Sequence, residues 1–268
     1  MTVAFQGTAG AYSEAAAAQL YPDATPEPCD TFADLFAAVE TGQAEAGVVP
    51  IENSLFGSVH ANYDHLRTHN VHIEVGQFMR IRHCLMAPEG ATLSTLQAVR
   101  SHPQALGQCK GYLADTVPQA ESVAAYDTAG AARAVAEEGD PTQAAIASAP
   151  AAAEYGLQVL AEGIEDHARN YTRFLGIRSG TAHDHVHPQA NRTSVVFALH
   201  ENVPGALFKS LAVFALRELD LCKMESRPQF GTPGQYLFYV DVTGSFDDTP
   251  LRRALGHLRE LTTEQKLL

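Results

Sequence analysis

Short apolar runs, each followed by a polar or glycine-bearing turn and then a helical pattern, make up the N-terminal part of the chain. Val3-Ala4-Phe5 ends at such a turn, and the alanine-rich residues 14–20 predict a helix because alanine has the highest helix propensity. Residues 46–51 and 144–147 predict further buried strands. Strands that alternate with helices in this way favour an α/β fold.

From residue 193 onward the pattern of apolar positions changes. Val195, Phe197 and Leu199 alternate as in a half-buried strand, and residues 206–219 follow with helical spacing. Two further strand patterns and a second helix continue the order β-α-β-β-α-β, which predicts a ferredoxin-like unit with two helices on one face of a four-stranded antiparallel sheet. The last stretch, residues 263–268, is too short to assign from the sequence alone.

The composition narrows the classes of partner. Hydrophobic residues make up 46% of the 268 residues, and 31 acidic against 18 basic residues give a net charge of −13. This charge argues against nucleic acid or an anionic membrane as partner. The four cysteines include no C-x-x-C pair and predict free thiols. No secretory signal or long apolar span is evident, so we expect a cytoplasmic protein.

Two clusters of polar residues follow predicted strands. Glu52-Asn53-Ser54 comes directly after an apolar run, and Ser101 leads into a helix that carries Gln104 and Gln108 on one face. In open α/β sheets ligands bind at the carboxyl ends of the strands, although helix capping explains such residues equally well. Residues 7–13 form a glycine-bearing turn before a helix, which either binds an anion through its N–H groups or is simply a tight turn.

The segment Asn170-Tyr171-Thr172-Arg173-Phe174 places a hydroxyl, a guanidinium and an aromatic ring on consecutive residues. In a regular strand Thr172 and Phe174 share one face while Arg173 points to the other, so all three enter one pocket only if the backbone bends. The alternative is an edge strand with a surface arginine. In residues 180–191, three alternating histidines, His183, His185 and His187, predict a solvated linker rather than a metal site.

Four motifs taken together resemble the motif set of the prephenate dehydratase family. They are residues 7–13, 49–54, 101–109 and 170–174. The C-terminal unit is similar to the ACT regulatory domain of that family, through residues 203–207 and 225–228. The resemblance implies a catalytic domain at 1–178 with two lobes like a type-II periplasmic binding protein, a linker at 179–191 and an ACT domain at 192–268. Because no chorismate mutase segment precedes residue 1, we expect the monofunctional form.

The implied reaction converts prephenate to phenylpyruvate, water and carbon dioxide without a metal or organic cofactor. We expect Thr172 to donate to the departing hydroxyl, with Glu52 as the alternative acid. The remaining residues expected to bind or orient the substrate are Ser13, Asn53, Ser54, Ser101, Gln104, Gln108, Arg173 and Phe174.

The resemblance further implies feedback by L-phenylalanine at the ACT domain and a homodimer or homotetramer formed through that domain. The residues expected at the effector site are Gly205, Ala206, Leu207, Glu225 and Ser226. Two alternatives stay open at this point. One is an arogenate dehydratase with the same fold, and the other is a non-catalytic cytosolic amino-acid-sensing module.

Overall fold

The computed structural model describes residues 1–185, 187 and 189–268. The chain forms two compact units, one made of Met1–Asn62 and Val75–Ile177 and the other of Tyr63–Glu74 and Arg178–Leu268. All four cysteines are free thiols. Within the described ranges, no helix is both long and apolar enough to cross a bilayer.

Strands and helices alternate along most of the chain. The first are β1 (Thr2–Gln6), α1 (Tyr12–Leu20), β2 (Thr25–Cys29), α2 (Phe32–Thr41), β3 (Ala46–Asn53), β4 (Gly57–Ser58), α3 (His60–Thr68) and β5 (Val71–Arg80). Next come β6 (Cys84–Ala87), β7 (Ala98–Ser101), α4 (Pro103–Gln108), α5 (Lys110–Thr116), β8 (Glu121–Ala124), α6 (Thr128–Glu138), β9 (Gln143–Ala147), α7 (Ala149–Glu154), β10 (Gln158–Glu162) and β11 (Tyr171–Ser179). The last are β12 (Arg192–Leu199), α8 (Ala206–Ala215), β13 (Leu221–Pro228), β14 (Tyr236–Thr243), α9 (Thr249–Glu260) and β15 (Thr262–Leu267).

The first sheet has the strand order β2-β1-β3-β11-β5, with β4 attached to β3. Strand β1 runs parallel to β2 and β3, while β11 returns antiparallel to β3. Local signals place helix α2: Thr31 and Asp34 form a capping box at its start, and Gly42 at φ +77° ends it. The apolar runs of β1 and β3, which the sequence marks as strands, are buried in this sheet.

The second sheet has the order β10-β6-β9-β7-β8, with β7 parallel to both β8 and β9. Its central strands are covered on both faces. Leu85 and Ile146 pack with α4 and α5, whereas Met86 and Ala145 pack with α6 and α7. Because alternate side chains reach opposite faces and both faces are apolar, these strands read as continuous hydrophobic runs in the sequence.

The second unit contains a four-stranded antiparallel sheet of order β13-β14-β12-β15. Helices α8 and α9 pack on one face through Phe214 and Leu255 against Phe197. The order β12-α8-β13-β14-α9-β15 is the predicted β-α-β-β-α-β arrangement, so that prediction is confirmed. The short C-terminal stretch that could not be assigned from the sequence forms β15 and pairs with β12.

Residues 63–74 belong to the second unit, which a linear division of the chain at residue 178 does not capture. Lys266 Nζ donates to the carbonyl oxygens of Leu66, Arg67 and His69 at 2.7, 3.1 and 2.6 Å, at the C-terminal end of α3. Arg227 also pairs with Asp64 at 2.6 Å. These contacts join residues far apart in sequence, so no local pattern marks them.

Two other predicted segments differ from the structure. The sequence of residues 71–87 predicts one long extended stretch, but these residues form two strands of different sheets, β5 and β6, separated at residues 81–83. The predicted linker at 179–191 begins in the last residue of β11 and contains a single-turn 3-10 helix at Ala182–Asp184. Val186 and Pro188 of that linker lie outside the described residues.

Candidate active site

The side chain of Asn53, at the end of β3, has one defined orientation. Its Oδ1 accepts the backbone N–H groups of Leu55 at 2.9 Å and Phe56 at 3.1 Å. Because a backbone N–H can only donate, the atom that receives both must be the oxygen. Asn53 Nδ2 then donates to Asn170 Oδ1 at 2.8 Å and to Thr172 Oγ1 at 3.0 Å.

A line of buried hydrogen-bonded side chains continues from Asn53. Asn170 Nδ2 donates to Gln108 Oε1 at 2.9 Å, and the same oxygen lies 2.5 Å from His83 Nε2. His83 Nδ1 lies 2.9 Å from the hydroxyl of Tyr12, which is also 2.7 Å from the carbonyl oxygen of Arg82. We call Asn53, Asn170, Gln108, His83 and Tyr12 the polar chain.

The polar chain draws on elements of both sheets of the first unit. Asn53 ends β3, Asn170 precedes β11, Gln108 lies in α4, and His83 lies between β5 and β6. Asn170 is fully buried and His83 is 2% exposed. Burial raises the pKa of Tyr12 well above its usual value. Burial also lowers the pKa of His83, and this effect outweighs the hydrogen bond with Gln108 and the charge of Glu165, which both raise that pKa. Both rings are therefore neutral near pH 7.

Thr172 lies next to the polar chain in the second position of β11 and is 9% exposed. Its Oγ1 accepts from Asn53. Among the described residues its hydroxyl proton has no acceptor. A threonine hydroxyl carries one donor, so Thr172 has an unused O–H beside a fixed amide.

The backbone bends at the segment that the sequence singled out. Arg173 is in register with Glu52 while Phe174 is in register with Pro50, so the pairing skips one residue of β3. Such a bulge re-aims side chains along a strand. Arg173 Nη1 lies 3.5 Å from Glu52 Oε1, and Phe174 is buried in a core cluster of the first sheet against which Tyr12 also packs.

An ion pair between Arg80 and Glu165 holds the backbone at two members of the polar chain, His83 and Asn170. Glu165 Oε1 pairs with Arg80 Nη2 at 2.6 Å, and Glu165 Oε2 accepts the backbone N–H of His83 at 2.9 Å. Arg80 Nη1 donates to the carbonyl oxygen of Asn170 at 3.1 Å. The backbone around His83 and Asn170 is thus held by charge-assisted hydrogen bonds, which are stronger than neutral ones.

Four other predicted residues are not members of the polar chain. Ser101 is fully buried and donates to the carbonyl oxygen of Ile146 at 2.6 Å, so its position does not support contact with a substrate. Gln104 is exposed on α4. Ser54 links β3 to β11: its hydroxyl donates to the Arg169 carbonyl at 2.8 Å and accepts the Tyr171 N–H at 2.9 Å. Ser13 is buried in the first turn of α1.

The glycine-bearing turn serves packing in this structure. The N–H of Gly7 donates to the Cys29 carbonyl, and the N–H of Gly10 donates to Glu14 Oε2 at 2.6 Å. A Cβ on Gly10 would lie 2.5 Å from the Cα of Ala151, and Ser148 donates to the Gly10 carbonyl at 2.6 Å. Two N–H groups predicted for an anion are therefore engaged within the protein, and the turn contacts α7 instead.

A cavity of about 640 Å³ opens beside this turn, lined by Gly7, Thr8, Arg100, Tyr126 and Asp127 among others. No member of the polar chain lines it. Within the described residues, no group of three or more His, Cys, Asp or Glu side chains is arranged to hold a metal ion.

Sequence reasoning missed His83, Tyr12, Asn170, Arg80 and Glu165 as parts of the site. Tyr12 and Asn170 lie inside motifs that were recognised, but no role was assigned to them. His83 lies between Arg82 and Cys84, outside the four motifs, where a single histidine gives no signal of function. Its partners lie 25 and 71 residues away in the chain, so only the fold brings them together.

The fold and this site define an α/β protein in which residues from elements of both sheets of the first unit form one cluster of hydrogen-bonded amide and hydroxyl side chains. The family model for prephenate dehydratase matches residues 3–182. A relative named arogenate dehydratase/prephenate dehydratase 2, chloroplastic, from Arabidopsis thaliana is 45% identical, over 99% of this chain and 71% of that protein. The chain belongs to the prephenate dehydratase family, which confirms the resemblance seen in the sequence.

Solved structures agree with this placement. The prephenate dehydratase from Arthrobacter aurescens in complex with L-Phe is 34% identical with a TM-score of 0.92, covering all of this chain and 89% of that one. A protein described as GqqA, a novel type of quorum quenching acylase, is 35% identical with a TM-score of 0.89, over 100% of this chain and 96% of that one. This chain is an enzyme of the prephenate dehydratase family, a carbon–oxygen lyase of phenylalanine biosynthesis, and not a non-catalytic sensing module.

The comparisons correct one prediction. The sequence led us to expect a cytoplasmic protein, but several relatives that match almost the whole chain are named chloroplastic. The expected localisation rested on the lack of a secretory signal and of a membrane span. Neither feature separates the cytoplasm from an organelle.

Proposed function

We propose that the chain converts prephenate to phenylpyruvate and that Thr172 donates the hydrogen bond, and then the proton, to the departing hydroxyl. Prephenate is a dianion, and loss of hydroxide and carbon dioxide leaves the phenylpyruvate monoanion. One proton must therefore be added to the departing oxygen to form water, and the Thr172 oxygen that gives up this proton regains one from solvent water. The observation that carries the proposal is the orientation of Thr172: Asn53 Nδ2 donates to its Oγ1, which leaves its own O–H for a substrate.

Glu52 is the weaker candidate for this donor. Its carboxylate lies 3.5 Å from the guanidinium of Arg173. A carboxylate paired with a guanidinium accepts hydrogen bonds rather than donating them. We assign Arg173 and Glu52 together to bracing β11 against β3, because their side chains pair across these two strands.

The amide side chains of Asn53, Asn170 and Gln108 orient Thr172 and do not themselves act as the proton donor. Both Nδ2 bonds of Asn53 and both bonds to Gln108 Oε1 are made within the protein. Their orientation is thus fixed before any substrate binds. Preorganised groups of this kind lower the barrier without reorganising during the reaction. Ser13, Ser54, Gln104 and Phe174 stay predicted contributors to the site, with Ser54 holding the two strands that carry Asn53 and Thr172.

The test compares two single substitutions, with phenylpyruvate followed by its ultraviolet absorbance in base. Thr172→Ala is expected to lower kcat about 10²- to 10⁴-fold, the usual contribution of acid catalysis. Glu52→Gln is expected to keep kcat within about tenfold, because only the brace between strands is weakened. Wild-type kcat in Thr172→Ala would refute the assignment, and a loss confined to Glu52→Gln would make Glu52 the acid. Thr41→Ala removes an exposed hydroxyl from the last residue of α2 and serves as control.

Arogenate is the second candidate substrate, and the names of the relatives favour it. Arogenate carries an amine where prephenate has a keto group. A relative from Petunia hybrida that is 44% identical to this chain is named arogenate dehydratase 2, whereas the one from Arabidopsis thaliana, at 45% identity, is named for both substrates. The ratio of kcat/KM for the two purified substrates decides between them. A value above one for arogenate over prephenate would make this chain an arogenate dehydratase.

We further propose that the second unit is an ACT domain that binds L-phenylalanine. Its β-α-β-β-α-β order supports this, as does the related enzyme solved in complex with L-Phe. Gly205, at φ +84°, opens α8 with nothing within 4 Å of a Cβ position, so its backbone is accessible. Ala206 and Leu207 follow it in the first turn. Glu225 and Ser226 lie on β13, where a carboxylate could receive the ammonium group.

Exposed apolar side chains support an assembly through this unit. Phe208, Leu216 and Phe230 are 75%, 78% and 100% exposed, which is unusual for large apolar residues. We propose a homodimer or homotetramer, measured by sedimentation. Calorimetry of the purified oligomer with L-phenylalanine tests the effector, with a coupling to prephenate of about 1–3 kcal/mol expected. Absence of heat and of inhibition would refute the regulatory part alone.

A further inference from the structure

We infer that His83 is a positioning residue for the Thr172 hydroxyl, acting as the Nε2–H tautomer that holds the carbonyl oxygen of Gln108. The consequence for catalysis rests on the proposed function of Thr172. The tautomer itself does not, because it follows from hydrogen bonds within the first unit. Neither the motifs nor the family placement assigns any role to this histidine.

The tautomer follows from the fixed end of the polar chain. The N–H groups of Leu55 and Phe56 require Oδ1 of Asn53 to face them, so Nδ2 faces Asn170. Asn170 must therefore present Oδ1 to Asn53 and Nδ2 to Gln108. An amide nitrogen donates only, so Gln108 presents its oxygen at this point.

His83 Nε2 meets the same Gln108 oxygen and must therefore carry a proton. The other ring nitrogen, Nδ1, is then the acceptor of the neutral ring. It lies 2.9 Å from the Tyr12 hydroxyl, whose single proton it shares with the Arg82 carbonyl oxygen at 2.7 Å. Burial, which lowers the pKa of His83, favours this neutral form. The groups that face the ring are Tyr12, Gln108, the Glu165 carboxylate on its backbone N–H, and Arg80 paired with Glu165.

The polar chain is thus pinned at both ends, by two backbone N–H groups at Asn53 and by the imidazole at Gln108. Gln108 Oε1 accepts two N–H groups, from Asn170 and His83. Without the imidazole donor, the Gln108 amide loses one of the two bonds that set its rotation. Asn170 then has a less fixed partner, and the Asn53 bond that orients Thr172 is held from one side only.

A positioning role predicts a particular kinetic pattern. His83→Leu removes the donor, and we expect kcat to fall by about tenfold or more, since small misplacements of a reacting group have effects of this size. KM should stay within about twofold, because His83 is not placed at the substrate. His83→Gln can present an amide N–H near the Nε2 position and should restore most of kcat. His72→Leu replaces an equally buried histidine in the second unit and is the matched control.

The tautomer is measured directly on the purified full-length protein by nitrogen NMR after labelling with ¹⁵N-histidine. The signals of His83 are assigned as those that disappear in His83→Gln. We expect His83 to show a protonated Nε2 and an unprotonated Nδ1 near neutral pH, and Tyr12→Phe to leave Nε2 protonated because Gln108 imposes it. A protonated Nδ1 with a bare Nε2 would overturn the inference whatever the kinetics. So would equal kcat values for His83→Leu and wild type. If Thr172 substitutions leave kcat unchanged while the Nε2–H tautomer is found, the proposed function fails and the hydrogen-bond assignment stands.

Discussion

Replacing Asn170 with aspartate exchanges one buried N–H donor for an oxygen while keeping the shape of the side chain. One carboxylate oxygen of the variant can still accept from Asn53 Nδ2, as Asn170 Oδ1 does at 2.8 Å. The other would face Gln108 Oε1 across the 2.9 Å now bridged by the Asn170 amide. Gln108 cannot turn its nitrogen toward the variant without losing the bond from His83. Two oxygens would then face each other with no proton between them.

The surroundings of Asn170 determine how much stability this substitution costs. Asn170 is fully buried, so an introduced charge would be cut off from water. Arg80, which donates to the Asn170 carbonyl oxygen, is already paired with Glu165 at 2.6 Å and offers little compensation. Leaving one buried charge without a partner typically costs about 3–5 kcal/mol. That is a large part of the roughly 5–15 kcal/mol that stabilises an ordinary domain.

Urea denaturation of Asn170→Asp and wild type at about pH 8 and about pH 5.5 measures this penalty. Burial favours the neutral form of the introduced carboxyl group, which raises its pKa in the folded state above that in the unfolded chain. The penalty is therefore complete at high pH and shrinks as the pH falls, when the protonated carboxyl donates to Gln108. Asn202→Asp, on an exposed loop, is the control. Equal stability of Asn170→Asp and wild type at the higher pH, or a penalty that grows with acid, would refute the assigned orientation.

Two further predictions concern the stability of the wild-type fold. Burial lowers the pKa of His83 and of His72, so below about pH 6.5 the unfolded chain binds more protons. From about pH 7.5 to about pH 5.5 the free energy of unfolding should fall by at most about 1.4 kcal/mol per pH unit for each histidine. His83→Gln should flatten that profile, and a flat wild-type profile would contradict it. Separately, Gly10→Ala places a Cβ 2.5 Å from Ala151, whereas Gly139→Ala meets nothing within 4 Å although both glycines have positive φ. Thermal unfolding should show that Gly10→Ala lowers the stability by about 1–3 kcal/mol more than Gly139→Ala does. Equal losses of stability in the two variants would contradict the close approach of Gly10 to Ala151.

Features encoded by neighbouring residues could be read from the sequence. The Thr31–Asp34 capping box, Asp127 at the start of α6 and Gly42 at the end of α2 are local patterns, and all three are present. Strand β2 was not predicted, because Pro26 and Pro28 interrupt its pattern. It lies at the edge of the sheet, where a missing N–H is tolerated.

The site shows the limit of such reasoning. Its motifs named Asn53, Gln108 and Thr172, and the structure brings these three together. They do not reveal that His83 and Asn170 complete the line, because those bonds join residues that are distant in the chain. Nor does a motif distinguish Gln108 from Ser101, which follows a strand but bonds to the Ile146 carbonyl within the second sheet.

The hydroxyl of Thr172 is the centre of this account, and the ratio of kcat for Thr172→Ser and Thr172→Val on prephenate tests it most directly. Serine keeps the hydroxyl beside Asn53, whereas valine keeps the shape of the side chain and removes the donor. We expect the serine variant to stay within about tenfold of wild type and the valine variant to lose about 10²- to 10⁴-fold. Equal kcat values for the two variants would show that the proton of the departing water comes from elsewhere.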